Sequence, residues 1–187
     1  MVDVTNANFD LIPRPTIRRF NCQECFYWIG KKDGRLDQKA QKKKWLLHKG
    51  AGLGSLSKVL LVDGEDSPVG FIQFGPVKEF ETAKLLYPQK SGFPKDGWCI
   101  TCLTIRPDWR RQGLAQALVR EVLKDLQKRG VGCVDVYPPN KTASINETAS
   151  GTVSLWQKLG FAVFAEGSRE VIMRKEFHHG RKNKTTS

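Results

Sequence analysis

The sequence lacks the features of a secreted, membrane-spanning or repetitive protein. Residues 1–10 are polar and do not show the basic and then apolar pattern of a secretory signal. No apolar run approaches the roughly 20 residues that a membrane-spanning helix needs, and no segment is repeated. The five cysteines are an odd number without a secretion signal, which indicates reduced thiols rather than a disulfide framework. We therefore expect a soluble cytoplasmic protein that does not bind membranes.

Acidic residues are also scarce. The chain has 19 Asp and Glu residues against 31 Lys and Arg residues, which gives a net charge of +12. Residues 31–44 hold seven basic and two acidic residues, and more positive charge lies in the tail at 177–187, which we expect to be flexible. A solvated basic face is the ordinary explanation. A nucleic-acid-binding surface is the alternative, which is less favoured because no aromatic residues interleave with these charges in a known motif.

The length of 187 residues and the 40% hydrophobic content suit one domain, with its core at about 58–176. Hydrophobic periodicity and turn residues predict an α/β chain. In chain order, the predicted elements are an edge strand or irregular lead-in at 9–20, a helix at 35–48, a hairpin of 59–62 and 69–74, a loop at 76–95, a central strand at 98–105, a helix at 111–128, a strand at 131–137, a short helix at 153–159 and a terminal hairpin of 161–164 and 171–174.

The informative segment joins the central strand to the long helix. The strand passes through a proline turn and two arginines into a helix that we expect to carry Gly113 and Ala115 in its first turn. The first N–H groups of a helix have no partner within it, and the helix dipole adds partial positive charge. Gly113 leaves room for a close approach to the backbone. The segment therefore predicts an anion-binding site.

This segment resembles the GNAT superfamily of acetyl-CoA-dependent N-acetyltransferases. The family's signature is Arg or Gln, two residues, Gly, one residue, then Gly or Ala, and it matches Arg110, Gly113 and Ala115. The downstream run of residues 154–161, which ends in Gly-Phe, looks like the family's short helix. The resemblance covers about 58–176 and implies a mixed central sheet of six to seven strands. Helices flank that sheet, and a V-shaped splay separates its two parallel strands, 98–105 and 131–137.

The resemblance also implies an activity, a cofactor and a site. The activity is transfer of an acetyl group from acetyl-CoA to a primary amine by direct nucleophilic attack, in a monomer or homodimer. The amine is a small molecule, a protein lysine or an N-terminus. The N–H groups of residues 111–115 would hold the pyrophosphate, and the main chain of Leu103 and Ile105 would pair with the pantetheine arm. The implied cofactor-binding residues are Leu103, Thr104, Ile105, Arg110, Arg111, Gln112, Gly113, Leu114, Ala115, Asn146 and Trp156.

The sequence departs from the family where protons are handled. Trp156 stands where many members place a tyrosine that protonates the leaving thiolate, and Tyr137 and Cys102 are the candidates for that role. Where many members have an asparagine, this chain has Ala149, so Asn146 would be a shifted substitute. A non-catalytic acyl-CoA sensor is therefore an alternative function.

The general base is equally open. Amine attack requires a group that collects a proton, but the strand at 98–105 contains no Asp, Glu or His. Glu79, Glu81 and Asp96 precede that strand and could reach the cleft. Solvated loop charges are the ordinary explanation for each of them.

Four cysteines form two Cys-x-x-Cys pairs, which is the number of thiols in a structural zinc site. Cys99 and Cys102 are three positions apart in a predicted strand, so without a bulge they would face opposite sides of the sheet. We therefore expect no metal site. The run from Cys25 to Trp28 is expected to pack against the sheet or to line the acceptor pocket.

Overall fold

The computed structural model describes residues 1–14, 21–30, 32–140 and 149–177. In chain order, the strands and helices are β1 (Val2–Asp3), α1 (Gln38–Leu53), β2 (Ser57–Leu60), β3 (Gly70–Pro76), α2 (Glu81–Leu85), β4 (Trp98–Ile105), α3 (Leu114–Lys128), β5 (Cys133–Val136), α4 (Val153–Lys158), β6 (Ala162–Glu166) and β7 (Val171–Glu176). Single 3-10 turns lie at Phe9–Leu11, Val77–Glu79 and Pro107–Trp109.

The described strands form one seven-stranded mixed sheet in the order β1-β2-β3-β4-β5-β7-β6. Strands β4 and β5 are parallel, and the other neighbouring pairs are antiparallel. The parallel pair is joined by α3, as expected for a strand–helix–strand crossover. The predicted α/β architecture of a mixed sheet flanked by helices is confirmed.

The two parallel strands part after a short contact. Their register runs from Trp98 opposite Val134 to Ile100 opposite Val136, whereas β4 continues to Ile105. The next residue, Thr101, has no partner in β3 and forms a β-bulge, because the register between β3 and β4 shifts at this point. A bulge bends its strand and increases the local twist. The gap between β4 and β5 therefore opens at the bulge.

The bulge corrects one expectation about the cysteines. Gln73 of β3 lies opposite Cys102, and the next residue of β3 lies opposite Ile100, so Thr101 has no partner. Because of this extra residue, Cys99 and Cys102 belong to the same buried cluster on one face of the sheet. The assumption that they face opposite sides was wrong. Within the described ranges, however, no group of three or more His, Cys, Asp or Glu side chains has an arrangement that could hold a metal ion.

Each face of the sheet carries its own core. Helix α1, helix α2 and the N-terminal segment cover one face, which we call the α1 face, and it includes Phe9, Leu46 and Phe80. Helices α3 and α4 cover the other face, which we call the α3 face. The apolar positions predicted along α3 are confirmed there, since Leu118 and Leu126 are fully buried.

Several predicted boundaries were wrong. Helix α1 continues through two glycines to Leu53 and ends at Gly54, whose φ is 78°, since an interior glycine weakens a helix without ending it. The segment 76–95 is not loop throughout, because it holds α2 and a 3-10 turn. Of the two alternatives for 9–20, the irregular lead-in agrees with the 3-10 turn at 9–11, and 15–20 lie outside the described residues. None of the described helices is both long and apolar enough to cross a membrane.

Candidate functional site

The turn between β4 and α3 has an unusual backbone. A 3-10 turn follows β4, and then Arg111 has a φ of 63° and Gly113 a φ of 78°. Gly113 is the N-cap, so α3 begins at Leu114 and not at Arg111 as expected. Left-handed backbone favours glycine, which explains Gly113 directly. The Arg110 guanidinium folds back, and its Nε donates to the Ile105 carbonyl at 3.1 Å, which ties the turn to the end of β4.

This turn presents unbonded amides to solvent. Among the residues that the structure describes, no hydrogen bond joins the backbone N–H groups of residues 111–115 to another protein group. A Cβ atom added to Gly113 would meet nothing within 4 Å, so the space in front of it is open. Residues 111–113 are exposed. Unpaired N–H groups at the positive end of a 15-residue helix attract an anion.

Residues 149 and 150 occupy the start of the gap between β4 and β5. The Leu103 N–H donates to the Ala149 carbonyl at 2.6 Å, and the Trp156 indole N–H donates to the Ser150 carbonyl at 2.8 Å. Trp156 is fully buried and contacts Phe161 edge-on, with ring centroids 5.2 Å apart. Trp156 therefore holds this segment against β4. Asn146 lies outside the described residues.

The acidic candidates are each bound to a lysine or exposed. Glu79 pairs with Lys49 of α1 at 2.8 Å. Glu81 pairs with Lys84 of its own helix at 2.8 Å and is largely exposed. Asp96 is exposed in the segment before β4. The structure does not bring these three carboxylates together at the β4–β5 gap, and a role for any of them stays a prediction.

The other two candidates, Cys102 and Tyr137, are buried on the α1 face. Burial raises the pKa of the Cys102 thiol, so the thiol is neutral. Burial also raises the pKa of Tyr137 well above its usual value. The Tyr137 ring stacks on Trp28 with centroids 5.1 Å apart, and its hydroxyl lies 3.0 Å from that of Tyr87. Both candidates can therefore act only as neutral hydrogen-bonding groups or proton carriers.

A buried ion pair completes a network that the sequence analysis missed. Asp135 of β5 is fully buried and accepts two hydrogen bonds from Arg174 of β7, at 2.8 and 2.9 Å. The Tyr87 hydroxyl donates to the same carboxylate at 2.5 Å. One signal was present in the sequence, since Asp135 is the single charged residue in the apolar run at 131–137. A buried carboxylate needs partners, but its partners are distant in sequence.

A second buried cation lies on the same face. Lys42 of α1 is 2% exposed, and its Nζ donates to the Gln73 Oε1 at 2.6 Å and to the Cys25 carbonyl at 3.0 Å. Gln73 in turn donates to the Thr101 hydroxyl at 2.9 Å. Burial lowers the pKa of Lys42. This chain of bonds ties α1 to the bulge at which the parallel strands part.

The rest of the basic stretch is partly neutralised within the fold. Lys39 pairs with Asp10 at 2.7 Å, and Lys43 lies 3.6 Å from the same carboxylate. Lys42 is buried as well. Three lysines of 31–44 are therefore paired or buried, so this stretch offers less free positive charge to a nucleic acid than its sequence suggests.

Comparisons with known proteins agree with this geometry. The family model described as "Acetyltransferase (GNAT) family" matches residues 23–161. The PaiA N-acetyltransferase of Thermoplasma acidophilum, solved in complex with coenzyme A, has a TM-score of 0.55 and 17% identity, with 83% of this chain and 88% of that chain covered. The ribosomal-protein-S18-alanine N-acetyltransferase of Escherichia coli has a TM-score of 0.52 and 15% identity, with 97% and 96% covered.

A GCN5-related N-acetyltransferase of Kribbella flavida has a TM-score of 0.57 and 16% identity, with 94% of this chain and 96% of that chain covered. These similarities establish the fold. No curated protein matches the sequence significantly.

Proposed function

We propose, from the premise that the chain belongs to the acetyltransferase (GNAT) family, that it transfers the acetyl group of acetyl-CoA to a primary amine. The observation that carries the proposal is the turn at 111–115, where the amides bond to no other described residue and surround an open glycine. A diphosphate fits this turn because it offers several acceptor oxygens and negative charge. A similar fold was solved with coenzyme A bound, which supports the choice of cofactor.

The strand that precedes the turn would hold the rest of the cofactor. The Leu103 N–H bonds to a residue outside β3, and Ile105 lies two positions further along the strand, so an extended arm could pair with both as an added strand. In this structure the Leu103 N–H is bonded to the Ala149 carbonyl. Binding of the arm therefore requires exchange of that bond. The cofactor would supply a thioester whose carbonyl carbon the amine attacks, and a backbone N–H near Leu103 would polarise this carbonyl.

The state of the thiols favours direct transfer over a covalent acyl-enzyme. A cysteine nucleophile acts as the thiolate. Burial raises the pKa of Cys22 to about 11 and that of Cys102 further, so both are neutral thiols near neutral pH. These two thiols are therefore not nucleophiles. The amine would attack the thioester itself to give a tetrahedral species, and the C–S bond would break as that species collapses.

Steady-state release of free CoA from acetyl-CoA tests the proposal. The panel of acceptors consists of polyamines, amino-sugar and amino-acid amines, and peptides with a free lysine or N-terminus. We expect CoA release above the hydrolysis background with at least one class of amine and an acetylated product of the corresponding mass. Tight binding of acetyl-CoA in calorimetry without turnover on any amine would refute catalysis and favour an acyl-CoA sensor.

A further inference from the structure

Four polar side chains meet on the α1 face at the point where β4 and β5 part. Asp135 lies opposite Cys99 of β4 and opposite Arg174 of β7. Tyr137 is the first residue after the last β4–β5 pair, which ends at Val136. Tyr87 reaches the same place from the segment after α2. The cluster is therefore built from β5 and the residue just after it, from β7, and from the segment after α2, at the edge of the gap.

The hydrogen bonds of this cluster have only one consistent direction. An arginine can only donate, and an ionised carboxylate can only accept. Since Asp135 is held by both donors of Arg174, the Tyr87 hydroxyl must donate to it. The oxygen of Tyr87 is then the acceptor for the hydroxyl hydrogen of Tyr137, at 3.0 Å. The proton order is therefore Tyr137 to Tyr87 to Asp135.

This order leaves the oxygen of Tyr137 as an acceptor. Its own hydrogen points to Tyr87, so a lone pair remains for an incoming N–H. The Cys99 thiol is the other polar group at this hydroxyl, and an S–H is a weak donor that an amine can replace. The ring of Trp28 covers one side of Tyr137 and keeps it out of water. Tyr137 follows the last β4–β5 pair, so an amine would approach this hydroxyl from the β4–β5 gap.

We propose that Tyr137, Tyr87 and Asp135 form a proton-acceptor chain that takes the proton of the attacking amine. The inference rests on the proposed acetyl transfer. As the C–N bond forms, the amine proton passes to Tyr137, the Tyr137 proton to Tyr87 and the Tyr87 proton to an oxygen of Asp135. The C–S bond breaks, and its electron pair leaves with the sulfur. The proton then returns along the same hydroxyls to the gap, where the CoA thiolate takes it, because Asp135 itself is fully buried.

The roles within the chain differ. Tyr137 is the catalytic residue, because it contacts the amine. Tyr87 and Asp135 act through it, and Arg174 holds the terminal carboxylate in place with two hydrogen bonds. General bases contribute about 10²- to 10⁴-fold to a rate, and the absence of Asp, Glu and His from β4 leaves this role open to the cluster.

The variant Tyr87→Phe tests the chain. It keeps the ring but removes the middle hydroxyl, and Asp135 keeps both bonds from Arg174. We expect kcat to fall about 100-fold and the low-pH limb of the kcat/KM profile to shift. The Kd for acetyl-CoA should stay within about twofold, because the amides at 111–115 are untouched. The matched control is Phe93→Leu. The rings of Phe93 and Tyr87 have centroids 6.3 Å apart, so this variant alters the packing around Tyr87 but leaves all hydroxyl groups in place.

Each outcome decides the question. Loss of kcat in Tyr87→Phe with near-normal kcat in Phe93→Leu supports the chain. Equal losses in both variants, or a Tyr87→Phe enzyme with the rate and pH profile of the wild type, overturn it while leaving acetyl transfer intact. A wild-type protein that releases no CoA with any amine overturns the proposed function and the chain together.

Discussion

Replacement of Gly113 by glutamate separates the diphosphate site from the stability of the fold. Gly113 has a φ of 78°, and a Cβ atom at this position would have no neighbour within 4 Å, so a side chain fits without a clash. The backbone strain of a left-handed residue costs about 1–2 kcal/mol. For a chain of this length, this lowers the melting temperature by about 2–8 °C. The fold should therefore survive the change.

The expected effect on binding is larger. A carboxylate about 5 Å from a phosphate charge, at an effective dielectric constant of about 20, is repelled by about 3 kcal/mol. Since about 1.4 kcal/mol is a factor of ten, we expect the Kd for acetyl-CoA to rise by about two orders of magnitude. Gly113→Gln has the same bulk without the charge and should lose clearly less affinity.

The chain offers a matched control at the other end of the same helix. Gly130 has the same φ of 78° and equally open space around its Cβ position, but it follows the C-terminus of α3. Gly130→Glu should cost similar stability and leave the Kd for acetyl-CoA unchanged in isothermal titration calorimetry. Wild-type affinity in Gly113→Glu, or equal losses in both variants, would show that the turn does not hold the diphosphate.

Two further variants test the gap and the buried thiols. Trp156→Phe removes the N–H that donates to the Ser150 carbonyl, a hydrogen bond worth about 1 kcal/mol. Acetyl-CoA should then bind up to about fivefold more tightly in calorimetry, while the melting temperature falls. Unchanged or weaker binding would contradict the idea that residues 149 and 150 compete with the cofactor for the Leu103 N–H. Burial raises the pKa of Cys22 from 9.0 to about 11, so its contribution to stability is complete below pH 9 and is lost as the pH rises through 11. Urea melts of Cys22→Ala should therefore show a smaller decrease in unfolding free energy between these pH values than the wild type, and equal slopes would contradict this.

The parts of the fold that follow from local pattern were predictable. Strand β4 has the predicted bounds, Trp98–Ile105, because an unbroken apolar run ends at a proline turn. Helix α3 was recognised from its regular apolar spacing, and only its start was misplaced. The left-handed backbone at Arg111 delays that start, and an arginine gives no signal for such a conformation.

The network on the α1 face was not predictable as a unit. Tyr87 and Asp135 are 48 positions apart, and their contact depends on how the segment after α2 returns to β5. Tyr137 was identified as a candidate, but its partners were not. Likewise, the burial of Lys42 could not be inferred, because its neighbours in the basic stretch at 39–44 remain at least partly accessible. Long-range contacts between polar residues leave no periodic trace in a sequence.

The bulge at Thr101 has a consequence for protein engineering. If Thr101 is left out, the side chains of β4 alternate regularly between the two faces of the sheet: Ile100 and Leu103 lie on the α3 face, and Cys99 and Cys102 lie on the α1 face. Removal of Thr101 would therefore restore a regular strand without exchanging the occupants of the two cores. Such a shortened chain would keep its secondary structure and lose the local bend. The parallel strands would then part less sharply, and the space for a ligand between them would be smaller.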